Sequence, residues 1–205
     1  MGNDGTYEDG KQAQLFFVYS IVPHRIVMAV PTRRNGEQQG MTVSLTQVSE
    51  YNWGYGELRG GSPAQLVGNK YLAFFHSSGR FQSKYIISYY MGAYLFEARP
   101  PFRITHISYE PIVAKTFINE SLGGWASRWR DYVIFPMGFV FNDAHIWVSY
   151  GRNDREGWIV KLNRTGLIAS LQPVNSIVLG QSEWEDESSR GSEAGQLVPH
   201  SFKYE

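Results

Sequence analysis

Apolar residues along this chain come in short bursts, broken by glycine, proline and polar turns. Leu15–Ile21 (LFFVYSI) and Arg25–Val30 (RIVMAV) read as two strands, with Pro23-His24 breaking the run between them. Thr42–Val48 (TVSLTQV) alternates, the period of a strand with one exposed face. Tyr51–Pro63 is aromatic and glycine-rich, which suits tight bends or close backbone approach. Ala64–Val67 and Tyr71–Phe75 read as a hairpin across Gly68-Asn69-Lys70. Lys84–Phe96 reads as one long strand, or two with a bend at Gly92, ended by Pro100-Pro101. Arg103–Ser108 follows. Tyr132–Phe135 then leads into Pro136-Met137-Gly138, Phe139–Phe141 and Ile146–Tyr150 flank a turn at Asn142–His145, and Trp158–Lys161 precedes a turn at Asn163–Gly166.

No window carries a helical period over 12 or more residues, so the pattern predicts an all-β fold: a sandwich, a barrel or propeller blades. The 205 residues suffice for one substantial core. We expect a single β domain over 1–180 and a polar, mobile segment over 181–205, where SEWEDESSRGSEAG is locally acidic. Nineteen basic side chains balance nineteen acidic ones, so no positive field draws nucleic acid. No apolar run reaches the ~20 residues of a membrane-spanning helix. The polar, acidic start MGNDGTYEDG is unlike a signal peptide, and a cytoplasmic location is expected. With no cysteine, disulfides and thiolate metal sites are excluded.

The chemistry concentrates at strand ends. YLAFFHSSGR puts His76 where an apolar run meets serines and glycine, read here as a polar turn. HSSG lacks the glycine-x-serine-x-glycine elbow of a serine hydrolase. The five histidines show no close metal-ligand spacing, so neither metal nor cofactor is expected. Arg59 in ELRGG is a candidate anion or sugar ligand, although Glu57 is placed to hold it in a surface ion pair. Asp154 in YGRND has two readings, a sugar-binding carboxylate or a turn cap. Glu97 and Glu110 are general acids by type alone. Trp53, Tyr55, Trp125 and Trp129 lie in polar loops, where rings stack on sugars or pack internally.

Taken in order, YLAFFHSS, YYMGAYLFEARPPFRITHISYEPI, VIFPMGF and WVSYGRND resemble the five-bladed β-propeller family of mannoside phosphorylases and β-mannosidases, over roughly Lys11 to Leu167. The resemblance implies four-stranded antiparallel blades. It also implies inverting chemistry on β-mannosides, with inorganic phosphate as co-substrate in a phosphorylase and water in a hydrolase. On this basis the chain corresponds to the later blades: a partial or reduced propeller that a partner chain or N-terminal blades would complete. The family's acid, an early-blade aspartate, has no counterpart here, so the catalytic residues are unassigned.

By the same resemblance His76 takes the place of a phosphate-contacting histidine. Tyr90, Gly92 and Ala93 match a segment that approaches the pocket. Pro136 and Gly138 match a phenylalanine-proline-x-glycine turn. Asp154 matches a sugar-contacting aspartate, with Arg152 and Asn153 in place of two alanines. Ile107 stands where many relatives carry an arginine, which removes one cation from a phosphate site. The implied activity is that of a phosphorylase or hydrolase acting on a mannoside or other glycan. The alternatives are a non-catalytic carbohydrate-binding or structural propeller domain, and a mannosyltransferase.

Overall fold

The computed structural model describes residues 15–31, 38–80, 87–117 and 133–181. The expected connection over 119–131, with Trp125 and Trp129, and the segment from 182 onward lie outside the described residues. The chain forms β1 (Phe16–Ser20), β2 (His24–Pro31), β3 (Gln38–Val48), β4 (Glu57–Gly60), β5 (Gln65–Val67), β6 (Lys70–Gly79), β7 (Ser88–Glu97) and β8 (Ile104–Ile107). A 3-10 turn at Lys115–Phe117 precedes β9 (Ile134–Phe141), β10 (His145–Arg152) and β11 (Glu156–Asn163). Helix α1 (Arg164–Ser170) is followed by β12 (Gln172–Pro173) and β13 (Ser176–Gln181). None of the described helices is long and apolar enough to cross a membrane.

The strands make three antiparallel sheets. One has the order β1-β2-β3-β13, one β11-β10-β9, and the six-stranded sheet between them β12-β8-β7-β6-β4 with β5 also on β6. The last two strands return along the chain, β12 to β8 and β13 to β3, so the C-terminal part ties two sheets built earlier. The fold is all-β, as the pattern predicts, but the sheets hold four, three and six strands rather than four each.

The six-stranded sheet is buried on both sides. Along β6 every residue from Leu72 to Ser77 is buried, and along β7 every residue from Met91 to Phe96. Strand side chains alternate, and the two cores follow that alternation. Ala73, Phe75, Tyr94 and Phe96 pack with Ile26, Met28 and Val43 of the four-stranded sheet. Leu72, Phe74, Met91 and Ala93 pack with Ile134, Ile146, Val148 and Tyr150 of the three-stranded sheet. A strand buried on both faces reads as an unbroken apolar run, which is why YLAFF and MGAYLF do not alternate.

One open alternative is decided and two local expectations are corrected. Of the two readings at Gly92 the single strand holds, since β7 runs straight through it. It lies opposite Phe75, and a Cβ there would sit 2.7 Å from Phe75 Cε1 and closer still to Cζ. Glycine is present because the Phe75 ring occupies the place of its side chain. Pro136-Met137-Gly138 is not a turn but part of β9, at a register shift opposite Ser149 and Tyr150. Asn163–Gly166 is the entry to α1, with Asn163 as N-cap accepting from the Gly166 N–H. The hairpin at Gly68-Asn69 forms as expected, Val67 pairing Lys70 across it.

The first core encloses a histidine. His24 is 1% exposed; its Nδ1–H donates to the Phe102 carbonyl at 2.9 Å, and its Nε2 has no partner among the described residues. Its ring meets Phe96 and Tyr94 edge-on. Burial lowers its pKa from 6.5 to about 4, against the opposing pull of the Phe102 carbonyl.

Gly92→Ala is expected to cost about 1–3 kcal/mol in urea denaturation, as an overpacked core does. Trimming the ring in a Gly92→Ala/Phe75→Leu double variant should recover part of that loss. A depressed histidine pKa means that the unfolded chain binds more protons between the two values. The contribution is therefore intact above pH 6.5 and lost as pH falls toward 4. From pH 7 to pH 4, His24→Gln should lose about 3 kcal/mol less stability than the parent chain, read from urea midpoints at each pH.

Candidate functional site

Strand parity decides which candidate residues can meet. His76 pairs with Arg59 on one side and Met91 on the other. Ser78 pairs with Glu57 and with Tyr89. Directly opposed residues share a face, so Glu57, Arg59, His76, Ser78 and Tyr89 lie on one face at one end of the six-stranded sheet. β9 completes the group from the neighbouring sheet: the Phe135 ring is 4.4 Å from His76 and Tyr89 is 5.8 Å away, nearly parallel. A bridge from Tyr89 to Val133 brings the two sheets together at this end.

The His76 ring is fixed in one tautomer. The Gly60 carbonyl lies 2.8 Å from Nδ1, so Nδ1 carries the proton and donates. Burial lowers its pKa, the Gly60 hydrogen bond opposes this, and the Arg59 charge adds to the lowering. Near neutral pH the ring is uncharged and Nε2 is a hydrogen-bond acceptor. The expected polar turn after it is not there: β6 continues to Gly79, and Ser77 is fully buried on the opposite face. Gly56 makes the local geometry possible. Its φ is +95°, and a side chain there would overlap the Ser78 carbonyl.

Arg59 is exposed and ion-paired to Glu57 at 3.0 Å. Tyr90 belongs elsewhere: it pairs with Ser77, so it faces the first core, 5.2 Å from the Tyr55 ring. Trp53 is buried in that same core against Phe75 and Tyr55. Ala93 is buried against the second core.

Arg152 is a buried structural cation. It donates to the Thr116 carbonyl at 2.8 Å and to the Glu156 carboxylate, and its guanidinium lies 4.4 Å from the Trp158 ring centre. Hydrogen bonds from Arg152 and Trp158 hold the Glu156 carboxyl below the usual range. Asp154 is exposed at the tip of the β10–β11 hairpin. Asn153 and Asp154 both have φ 53°, and the Arg155 N–H closes the turn on the Arg152 carbonyl. Asn and Asp tolerate this left-handed conformation, so turn geometry explains both residues. Asn153 also accepts from the Val133 N–H, tying the hairpin to the start of β9.

Thus His76 and Arg59 come together, Arg152 and Asp154 occupy a neighbouring hairpin, and Tyr90 lies on the other face. Sequence reasoning passed over Ser78, Tyr89 and Phe135. Phe135 had a signal in principle, as an aromatic beside proline, but only the sheet-to-sheet contact joins it to His76. Three surface hollows of about 480, 490 and 820 Å³ lie elsewhere, and none is lined by His76, Arg59, Tyr90, Arg152 or Asp154. Among the described residues no three His, Asp or Glu side chains gather as metal ligands.

Two substitutions separate structure from binding at the hairpin. Arg152→Ala should cost about 2 kcal/mol, for lost charge-assisted hydrogen bonds, and leaves the Thr116 carbonyl only the longer bond from the Tyr150 hydroxyl. Asp154→Gly should leave the urea midpoint unchanged or raise stability by up to about 1 kcal/mol, since glycine relaxes a left-handed position.

No family model and no curated protein matches this sequence. Among solved structures, a glycosyl hydrolase from Bacteroides ovatus is similar at a TM-score of 0.45 and 16% identity. The match covers 76% of this chain and 42% of that one, so this chain spans less than half the length of that protein. The likeness is weak and remote, and it carries no argument about activity.

Proposed function

We propose that the chain is a glycan-recognition domain of the β-mannoside-active kind. The face carrying Glu57, Arg59, His76, Tyr89 and Phe135 receives the sugar. The observation that carries this reading is the state of His76: uncharged, its Nδ1–H committed to Gly60, its ring set against two aromatic rings. A lone-pair nitrogen accepts from a sugar hydroxyl, and Phe135, 36% exposed, offers a flat face for sugar C–H groups. The sequence resemblance to β-mannoside enzymes supports the ligand class. We read the three packed sheets as blades of a partial propeller that a partner chain or further blades would continue.

Recognition stands ahead of cleavage in this reading. Inverting chemistry needs an acid on the leaving oxygen and a nucleophile on the opposite side of the ring. The carboxylate on this face, Glu57, is engaged by Arg59. One observation favours phosphorolysis as a second reading: the Arg59 guanidinium is exposed beside His76 and is able to hold a phosphate. There the glycosidic C–O bond breaks, a phosphate oxygen bonds to the anomeric carbon, and an acid protonates the leaving oxygen.

Calorimetric titration with mannotetraose is expected to show binding that weakens at least tenfold in His76→Ala and in Phe135→Ala. Affinity should hold from pH 8 down through neutrality and fall only below the ordinary histidine range, as Nε2 gains a proton. Incubation with mannose 1-phosphate and short mannosides should release no phosphate. Sustained release abolished by Arg59→Ala would establish the second reading instead. Neither binding nor turnover would overturn both.

A further inference from the structure

We infer that the two hollows on either side of Tyr109 form a second saccharide-binding groove, at the opposite edge of the six-stranded sheet from β4. The two share Ser108, Tyr109 and Gln172, and their volumes, about 480 and 490 Å³, lie in the range of small-molecule sites. Tyr109 stands between them with 52% of its surface exposed.

The wall is held in place. Ser108 is buried, donating its N–H to the Ala93 carbonyl and accepting from the Ala93 N–H through Oγ. Four residues on, the Ile112 N–H donates to the Met91 carbonyl. The segment carrying Tyr109 and Glu110 is therefore pinned to β7 at both ends. Asn52 donates to the Tyr109 hydroxyl at 3.4 Å, and Gln172 is set by its pairing with Ile107.

The lining selects the ligand class. Glu110 lines one hollow and Glu50 the other, neither in an ion pair among the described residues, and no lysine or arginine lines either hollow. An anion is repelled from such a wall. A neutral polyol is not, because carboxylates and amides accept and donate to its hydroxyls while tyrosine rings cover its C–H faces. The Tyr51 hydroxyl belongs to a residue on the wall of the second hollow and is buried without a partner among the described residues. Two adjoining hollows that share Ser108, Tyr109 and Gln172 fit a chain of sugar rings better than a single ring. The ligand class is shared with the reading above and rests on it; the place does not.

The test titrates the full chain with mannotetraose and cellotetraose, with tetragalacturonate as anionic control and spermidine as cationic control. Tyr109→Ala, Gln172→Ala and His76→Ala are compared with the parent, each checked for an unchanged urea midpoint. Two binding events are expected for a neutral tetrasaccharide. Tyr109→Ala should remove one and Gln172→Ala weaken that same one at least fivefold, while His76→Ala spares it. Tetragalacturonate should not compete. A single event lost only in His76→Ala would overturn the groove and leave the earlier reading standing. A single event lost only in Tyr109→Ala would do the reverse. Binding of spermidine with no saccharide binding would mark a cation site and overturn the inference, and no binding at all would overturn both.

Discussion

The structure depends on one constraint: β6 and β7 must bury both of their faces. Their side chains belong by turns to two different cores, one shared with the four-stranded sheet and one with the three-stranded sheet. Each residue on these strands therefore has its neighbours fixed by parity alone. A shift of register by one residue would exchange the two cores, sending Phe75 and Tyr94 to the wrong layer. The Phe75 ring over Gly92 guards against this, since no other residue of β7 between Met91 and Phe96 lacks a side chain. His24 adds to the same core a polar contact that spans 78 residues, joining the start of β2 to the Phe102 carbonyl.

That parity explains what was legible and what was not. The strands around Leu15–Val30, the Gly68-Asn69 hairpin and the all-β class follow from local pattern, because apolar bursts between turn residues carry enough signal. The glycine-rich stretch also behaved as read, with Gly56 in a bend against Ser78. Pro136-Met137-Gly138 misled, and Gly92 left two readings open, for a common reason. Glycine and proline are local breakers only when nothing distant requires them. Here Gly92 makes room for a ring on another strand, and Pro136 sits at a register shift between β9 and β10. Asn163 misled differently: a turn and a helical N-cap share the same first residues, and α1 is too short to declare a period.

The candidate residues divide along the same line. His76 and Arg59 share a face because they are cross-strand partners, which no reading of spacing reveals. His76 and Tyr90 are parted because the ladder pairs Tyr90 with Ser77, one position on. A resemblance of motifs in order aligns residues along the chain; it says nothing about which face each one serves. Asp154 matches a sugar contact and Arg152 stands beside it as a candidate cation, yet each has a complete structural explanation. One is a buried guanidinium satisfied by Thr116 and Glu156, the other a residue suited to a left-handed turn. The sites they define in this chain must be argued from contacts instead.

Protonation then discriminates between ligands at the His76 face. A phosphate offers chiefly lone pairs and negative charge, so a histidine serves it best as a cation with a free N–H. In this fold both conditions fail near neutral pH, since burial and Arg59 hold the ring uncharged and its one proton is given to Gly60. Protonating Nε2 would supply the donor, but at the cost of a charge buried beside a guanidinium. Any anion on this face must therefore lean on Arg59, whose existing partner Glu57 it would have to displace. A hydroxyl faces no such competition: it donates to Nε2 as the ring stands and leaves the Arg59–Glu57 pair intact. The same pair of groups that weakens the case for phosphate is thus what makes a neutral sugar the better fit.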